Sequence, residues 1–184
     1  SVALPEPRAA ETRHRSLAAA IEWTYGLLTP SQQRLFCRLA IFPTTFTMEA
    51  AEAVGSTDAP ESATFWDDLG TLVDRAVVQI RADRGRRSRY AILGSQRAYG
   101  LTLLRREGGE DDAIRRLAAH TAAWVEDAAG RLTGERQQEE LDRLEVDLAT
   151  IHFVLSWAAA HAEVAVGLRL SGLMWRFWTT RGTL

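Results

Sequence analysis

The sequence predicts a mainly α protein with one small β-hairpin: a winged-helix domain over residues 17–107, then an antiparallel helical region over residues 110–184. Three observations predict it. Apolar residues recur at helical spacing through most of the chain. Between two helical patterns, Val77-Val78-Gln79-Ile80 and Tyr90-Ala91-Ile92-Leu93 turn β-rich around Arg84-Gly85-Arg86, a turn. After Gly108-Gly109 only helical patterns follow. Two helices, then helix, ribbon and helix, is the order of a winged-helix unit.

The elements follow in order. Ser1 to Thr12, rich in Pro, Ala and charge, reads as a linker or a cut end, and residues 1–16 are assigned to it. Leu17 to Leu28 is the first helix, with Leu17, Ile21 and Leu28 on one stripe. Thr29-Pro30-Ser31-Gln32 is a helix start, with Thr29 as N-cap, Pro30 at the first helical position and Gln32 closing a capping box. That helix carries Leu35, Phe36, Leu39 and Ala40 and stops at Phe42-Pro43. A short helix begins at Thr47 and covers Met48 to Val54; Gly55 to Ser62 is a loop. Phe65, Leu69, Leu72, Val73 and Ala76 stripe the next helix, and another runs from Ser95 to Arg106.

In the second half, Ile114, Leu117, Thr121, Val125 and Ala128 form one stripe, and Gly134 lies in the break after it. Leu141, Leu144, Leu148, Ile151 and Leu155 form another, on a single long helix expected to reach His161. The last helix, Val164 to Arg181, has two apolar stripes: Val164, Leu168, Trp175 and Trp178 on one, Val166, Leu170, Leu173 and Phe177 on the other. A helix apolar on both sides has to be covered on both. The expectation is a piece of a longer protein, cut inside a stack of helices. Trp175, Phe177 and Trp178 are therefore candidate interface residues, either for following helices or for a homodimer through this helix.

Composition narrows the function classes. The 184 residues carry a net charge of −2, which argues against a protein that coats nucleic acid. All basic side chains are arginine, so no lysine-dependent phosphate loop exists. No apolar run approaches the ~20 residues of a membrane span. The single cysteine, Cys37, offers no disulfide framework, so a cytoplasmic setting is expected. His14, His120, His152 and His161 lack ligand spacing; the last two fall on opposite faces of one helix. Cys37 sits in a packing stripe, and the acids Glu49, Glu52, Asp67 and Asp68 suit helix starts and solvated faces. No catalytic, metal or cofactor residues are assigned, and the chain is not expected to be an enzyme. Trp23, Trp66, Trp124 and Trp157 are expected in the core.

Arg13-His14-Arg15-Ser16-Leu17, Ile21-Glu22-Trp23-Thr24-Tyr25 with Leu27-Leu28-Thr29-Pro30, and Leu35-Phe36-Cys37-Arg38-Leu39-Ala40-Ile41-Phe42 carry a resemblance. It continues in Phe46 to Val54, Leu72 to Val78, Arg89 to Leu93, Leu144-Glu145, Trp157-Ala158, Gly167 to Leu170, Trp175 to Trp178 and Arg181-Gly182. In their order and spacing these segments resemble the part that follows the nucleotide-binding core in bacterial STAND (NB-ARC-type) ATPases. Those include the large LuxR-type and SARP-type transcription factors of actinobacteria. The winged-helix assignment rests on element order and this resemblance together.

The resemblance implies a division of labour. The winged-helix domain packs on an ATPase core that holds ATP or ADP, and tetratricopeptide-like helices downstream receive a signal. This chain resembles those last two parts, so its implied partners are its own ATPase core and downstream helical repeats, with no cofactor in the chain itself. Where related proteins carry a nucleotide-sensing His-Asp pair, this chain has Leu93 and Gly94, which offer no side-chain hydrogen bond; Arg97 matches a family arginine. Arg81, Arg84, Arg86, Arg87 and Arg89 on the wing have three readings: a solvated basic turn, docking on an acidic protein surface, or contacts to DNA phosphates. DNA is disfavoured, because the helix that would enter the groove carries Asp67, Asp68 and Asp74 against Arg75. The alternative function is a DNA-binding winged helix with a helical dimerisation arm.

Overall fold

The computed structural model describes residues 7–56, 64–82, 88–132 and 137–182, with the side chains of 7–15 and 82 left out. The first helix of the described residues, α1 (Pro7–Gly26), starts ten residues before the expected Leu17, within the stretch read as a linker. Pro7 suits a first helical position, and Ala9, Ala10 and Glu11 are good helix formers, so local propensity overrides the mixed composition. α2 (Pro30–Leu39) opens on the capping box: Gln32 N donates to Thr29 Oγ1 at 3.4 Å, and Thr29 N donates to Gln32 Oε1 at 3.0 Å. Two of the orphan amides of the first turn are thereby satisfied.

α3 (Met48–Gly55), α4 (Phe65–Asp74) and the antiparallel hairpin β1 (Gln79–Ala82) with β2 (Ser88–Ala91) complete the winged unit, and α5 (Gly94–Arg106) closes it. Tyr90 lies opposite Ile80 in the hairpin and, on its other edge, bridges to Phe46. That isolated bridge ties the loop before α3 to the wing. The strands sit two residues later at the first and two earlier at the second than composition predicts. Ala76 has a positive φ of 56°, which ends α4 and lets Val77 N and Val78 N bond back to Leu72 O. Both valines are consequently spent on the core before the hairpin begins. The expected turn at Arg84-Gly85-Arg86 lies outside the described residues.

α2 and α5 cross closely because Gly100 has no side chain. A Cβ there would meet Ala40 Cβ at 2.8 Å and Phe36 Cζ at 3.1 Å, and the alanine methyl is fixed to its backbone. Gly100→Ala should therefore lower stability by about 1 kcal/mol, an overpacking cost that outweighs the helix-propensity gain. Gly172, inside a later helix with open space around it, should respond oppositely, with Gly172→Ala raising stability by about 0.5–1 kcal/mol. Melting curves of the two variants check the sign difference.

α6 (Glu110–Gly130), α7 (Gln137–Val146), α8 (Leu148–Ala160) and α9 (Val164–Arg181) form the helical region. α6 is its centre, packing on α3 of the winged unit and on α8 and α9. The expected single helix up to His161 is two helices. The break is at Asp147, whose backbone amide bonds to Leu144 O in a tight turn while its own carbonyl starts α8 through Ile151 N. Leu141, Leu144 and Ile151 are buried on both sides of the break, so the apolar stripe is real even though one helix does not carry it. Among the tryptophans, Trp157 is buried and Trp124 half-buried, whereas Trp23 and Trp66 are 69% and 51% exposed, contrary to the core positions that periodicity assigns them. Trp66 sits one residue past buried Phe65 and Trp23 two residues past buried Ile21, each off the buried stripe of its helix.

Candidate functional site

The sequence points to three surfaces, and the fold treats them differently. In the wing, Arg81 is exposed, with Nη2 donating to Gln79 Oε1 at 2.7 Å. Arg84, Arg86 and Arg87 lie outside the described residues. Arg89 is not a wing-tip cation at all. It is 7% exposed and points into the molecule, with Nε donating to Thr45 Oγ1 at 2.8 Å and Nη2 to Thr45 O at 3.1 Å. Its guanidinium also forms an ion pair with Asp147, the residue that breaks α7 from α8. Position in the sheet accounts for the correction. Arg81 and Arg89 are direct partners in the hairpin, but Arg81 stays exposed on the outer strand β1, whereas β2 lies against the loop before α3 through the Phe46–Tyr90 bridge, and Arg89 and Tyr90 are both buried there.

The helix that would read a DNA groove, α4, shows an exposed face of Trp66, Asp67, Gly70 and Asp74. Asp68 is not on it; this carboxylate is buried and accepts a 3.0 Å bond from Thr64 Oγ1. Arg75 at the helix end is exposed, and its Nη1 donates to Leu27 O at 3.1 Å. Trp66 is braced edge-to-face on buried Phe65, with ring centroids 5.0 Å apart and planes at 81°.

The junction between the winged unit and the helical region encloses a crevice of about 40 Å³ lined by Phe42, Thr45, Phe46, Leu117, His120 and Thr150 among others. Thr150 Oγ1 is buried there without a hydrogen-bond partner. Burial holds His120 below the usual imidazole range, opposed by Glu49 and Asp147. The volume and the lone hydroxyl suit ordered water. No group of acidic, histidine or cysteine side chains among the described residues could hold a metal ion. Cys37 is fully buried beside Tyr25, its thiol pushed up to about 11 chiefly by burial, so it stays protonated and inert.

On α9 the two apolar stripes separate cleanly. Leu170, Met174 and Phe177 are buried against α6 and α8, whereas Val164, Leu168 and Trp175 are 64%, 71% and 55% exposed, with Trp178 half-buried. Phe177 is thus a core residue, not an interface residue, because it lies a quarter turn or more from that face. Arg176 stacks over the Trp175 ring at 5.8 Å. Ion pairs from Arg169 to Glu126 and from Arg181 to Asp142 and Glu145 hold α9 on its neighbours. Leu93 and Gly94 are exposed at the N-terminus of α5, where Leu93 is an N-cap without a side-chain bond. Arg97 faces inward, Nε donating to Phe42 O at 2.5 Å.

Asp147 is the residue that sequence reasoning misses. Its signal is an acid between Val146 and Leu148 inside an apolar stripe, a position where a charge needs a partner.

Comparison with known proteins places these observations. Residues 28–105 match the family model of a winged helix-turn-helix domain. Over 177 residues, 96% of this chain, it is 28% identical to proteins of Mycobacterium bovis and Mycobacterium tuberculosis named as candidate HTH-type transcriptional regulators. Over 109 residues, 58% of this chain, it is 35% identical to an uncharacterized protein of M. tuberculosis, covering 27% of it. No solved structure matches. The chain spans about a fifth of the length of the regulators it matches. Residues 28–105 form a winged helix-turn-helix domain, and the chain that carries it is homologous to these mycobacterial proteins.

Proposed function

We propose that this chain is a non-catalytic regulatory module of a STAND-type transcriptional regulator, relaying the nucleotide state of an ATPase core to a helical, tetratricopeptide-like sensor region. The junction carries this reading. The winged unit is clamped to the helical region through α3 on α6 and through the buried Arg89–Asp147 pair, so a displacement of one is transmitted to the other. The apolar α9 face of Val164, Leu168 and Trp175 supports further helices stacking on it. Leu93 and Gly94 offer the nucleotide no side-chain hydrogen bond, so in this reading the winged unit follows the core through surface contact.

A second reading, a DNA-binding winged helix with a helical dimerisation arm, draws on the arginines between the strands and on the names of the relatives. Titration of the chain into a labelled random duplex at low and then physiological salt separates the two. The relay reading expects no saturable binding at either. Binding that falls steeply with salt, and weakens in Arg86→Ala/Arg87→Ala, replaces it with the DNA reading.

A further inference from the structure

We propose that the exposed face of α4 is a docking surface for a protein partner that presents an arginine-bearing, amphipathic segment. Positions 66, 67, 70 and 74 fall within about 100° of arc on a helix of 3.6 residues per turn. On that arc stand one aromatic side chain, two carboxylates and one residue with no side chain. A Cβ on Gly70 would meet nothing within 4 Å, so a shallow notch lies between Trp66 and Asp74, one turn to either side.

The pieces match a guanidinium in three ways. Arginine stacks flat on an indole while its N–H groups fork to carboxylates, a combination that neither a phosphate nor an acidic surface can use. Trp66 is already held by Phe65 with its ring half out of the protein, so little freedom is lost when a partner covers it. The nearest cation along the helix, Arg75, is turned to the Leu27 carbonyl at the helix end, which leaves Asp67 and Asp74 as the charges of the face. Leu27 itself is half-exposed across that bridge and offers apolar surface to the segment's other side. The same charges repel a duplex, so the helix that reads bases in a DNA-binding winged helix serves protein recognition in this chain. The surface belongs to α4 and stands whether or not the chain relays a nucleotide state.

The test is fluorescence anisotropy of a labelled synthetic peptide of repeating Leu-Arg-Ser units, titrated with the whole chain. The expected result is saturable binding that Trp66→Ala and the double variant Asp67→Asn/Asp74→Asn each weaken about tenfold. Gly70→Leu, which fills the notch, should weaken it as well, and a peptide with lysine in place of arginine should bind several-fold less tightly. All substitutions are at exposed positions, and an unchanged melting transition shows that each variant is folded. Three results overturn the proposal: no binding of the arginine peptide at millimolar concentration, binding indifferent to the α4 variants, or duplex DNA that binds and gains affinity in Asp67→Asn/Asp74→Asn.

Discussion

Arg89→Ala should destabilise the chain by about 3 kcal/mol, the lower end of what breaking a buried ion pair costs. The lower end applies because the Asp147 side chain keeps 18% of its surface in contact with solvent, against 8% for Arg89. Three kinds of loss combine. Asp147 is left as a carboxylate with its cation gone, Thr45 loses donors to both its hydroxyl and its carbonyl, and the wing loses its attachment to the turn that separates α7 from α8. For a chain of this length the melting temperature should fall by roughly 6–12 °C. Replacing both charged partners in Arg89→Met/Asp147→Leu should recover much of that, since no charge is then stranded. A thermal-denaturation cycle of Arg89→Met, Asp147→Leu and the double variant measures the coupling, expected at about 2 kcal/mol. Additive losses would mean that Arg89 and Asp147 do not act as a pair, and that the winged unit and the helical region are held by the other contacts, chiefly α3 on α6.

How much of this is legible in the sequence follows from which forces are local. The capping box at Thr29 and Gln32 is readable because it is written within four residues. The separation of the α9 stripes is readable because period alone sets faces, although period cannot tell which stripe the neighbours will cover. Arg89 is not readable. It ends a run of arginines and serine, its partners lie 44 and 58 residues away, and nothing in a charge run marks the member that the packing of β2 will bury. Trp23 and Trp66 fail for the opposite reason. A large aromatic one or two residues from a buried position reads as core by type, yet each residue along a helix is a rotation of about 100°, enough to place it in solvent. The break at Asp147 belongs with Arg89: the sequence shows an acid within an apolar pattern, and only the distant guanidinium explains why the chain turns there.

Phe46→Ala should be costlier still, at about 4 kcal/mol, and its comparison with Phe46→Leu shows what the residue contributes. Phe46 is fully buried and stacked between Phe42, with centroids 4.4 Å apart, and Tyr90, at 6.1 Å. Its backbone makes both bonds of the bridge to the wing, Phe46 N to Tyr90 O at 2.9 Å and Tyr90 N to Phe46 O at 2.8 Å, and neither depends on the side chain. Truncation to alanine removes the ring and leaves a void continuous with the junction crevice, which Phe42 and Phe46 line together. The cost then has a transfer part and a cavity part, as for other aromatic-to-alanine changes in cores. Leucine keeps most of the buried volume but forfeits the stacking, worth about 0.5–1.5 kcal/mol, so Phe46→Leu should lose about 1–2 kcal/mol. Urea unfolding with an unchanged m-value reads both losses directly. If leucine costs as much as alanine, ring geometry rather than filled volume holds the loop before α3 against the wing. That outcome would make the aromatic stack, alongside the Arg89–Asp147 pair, the means by which the wing stays in register with the helices behind it.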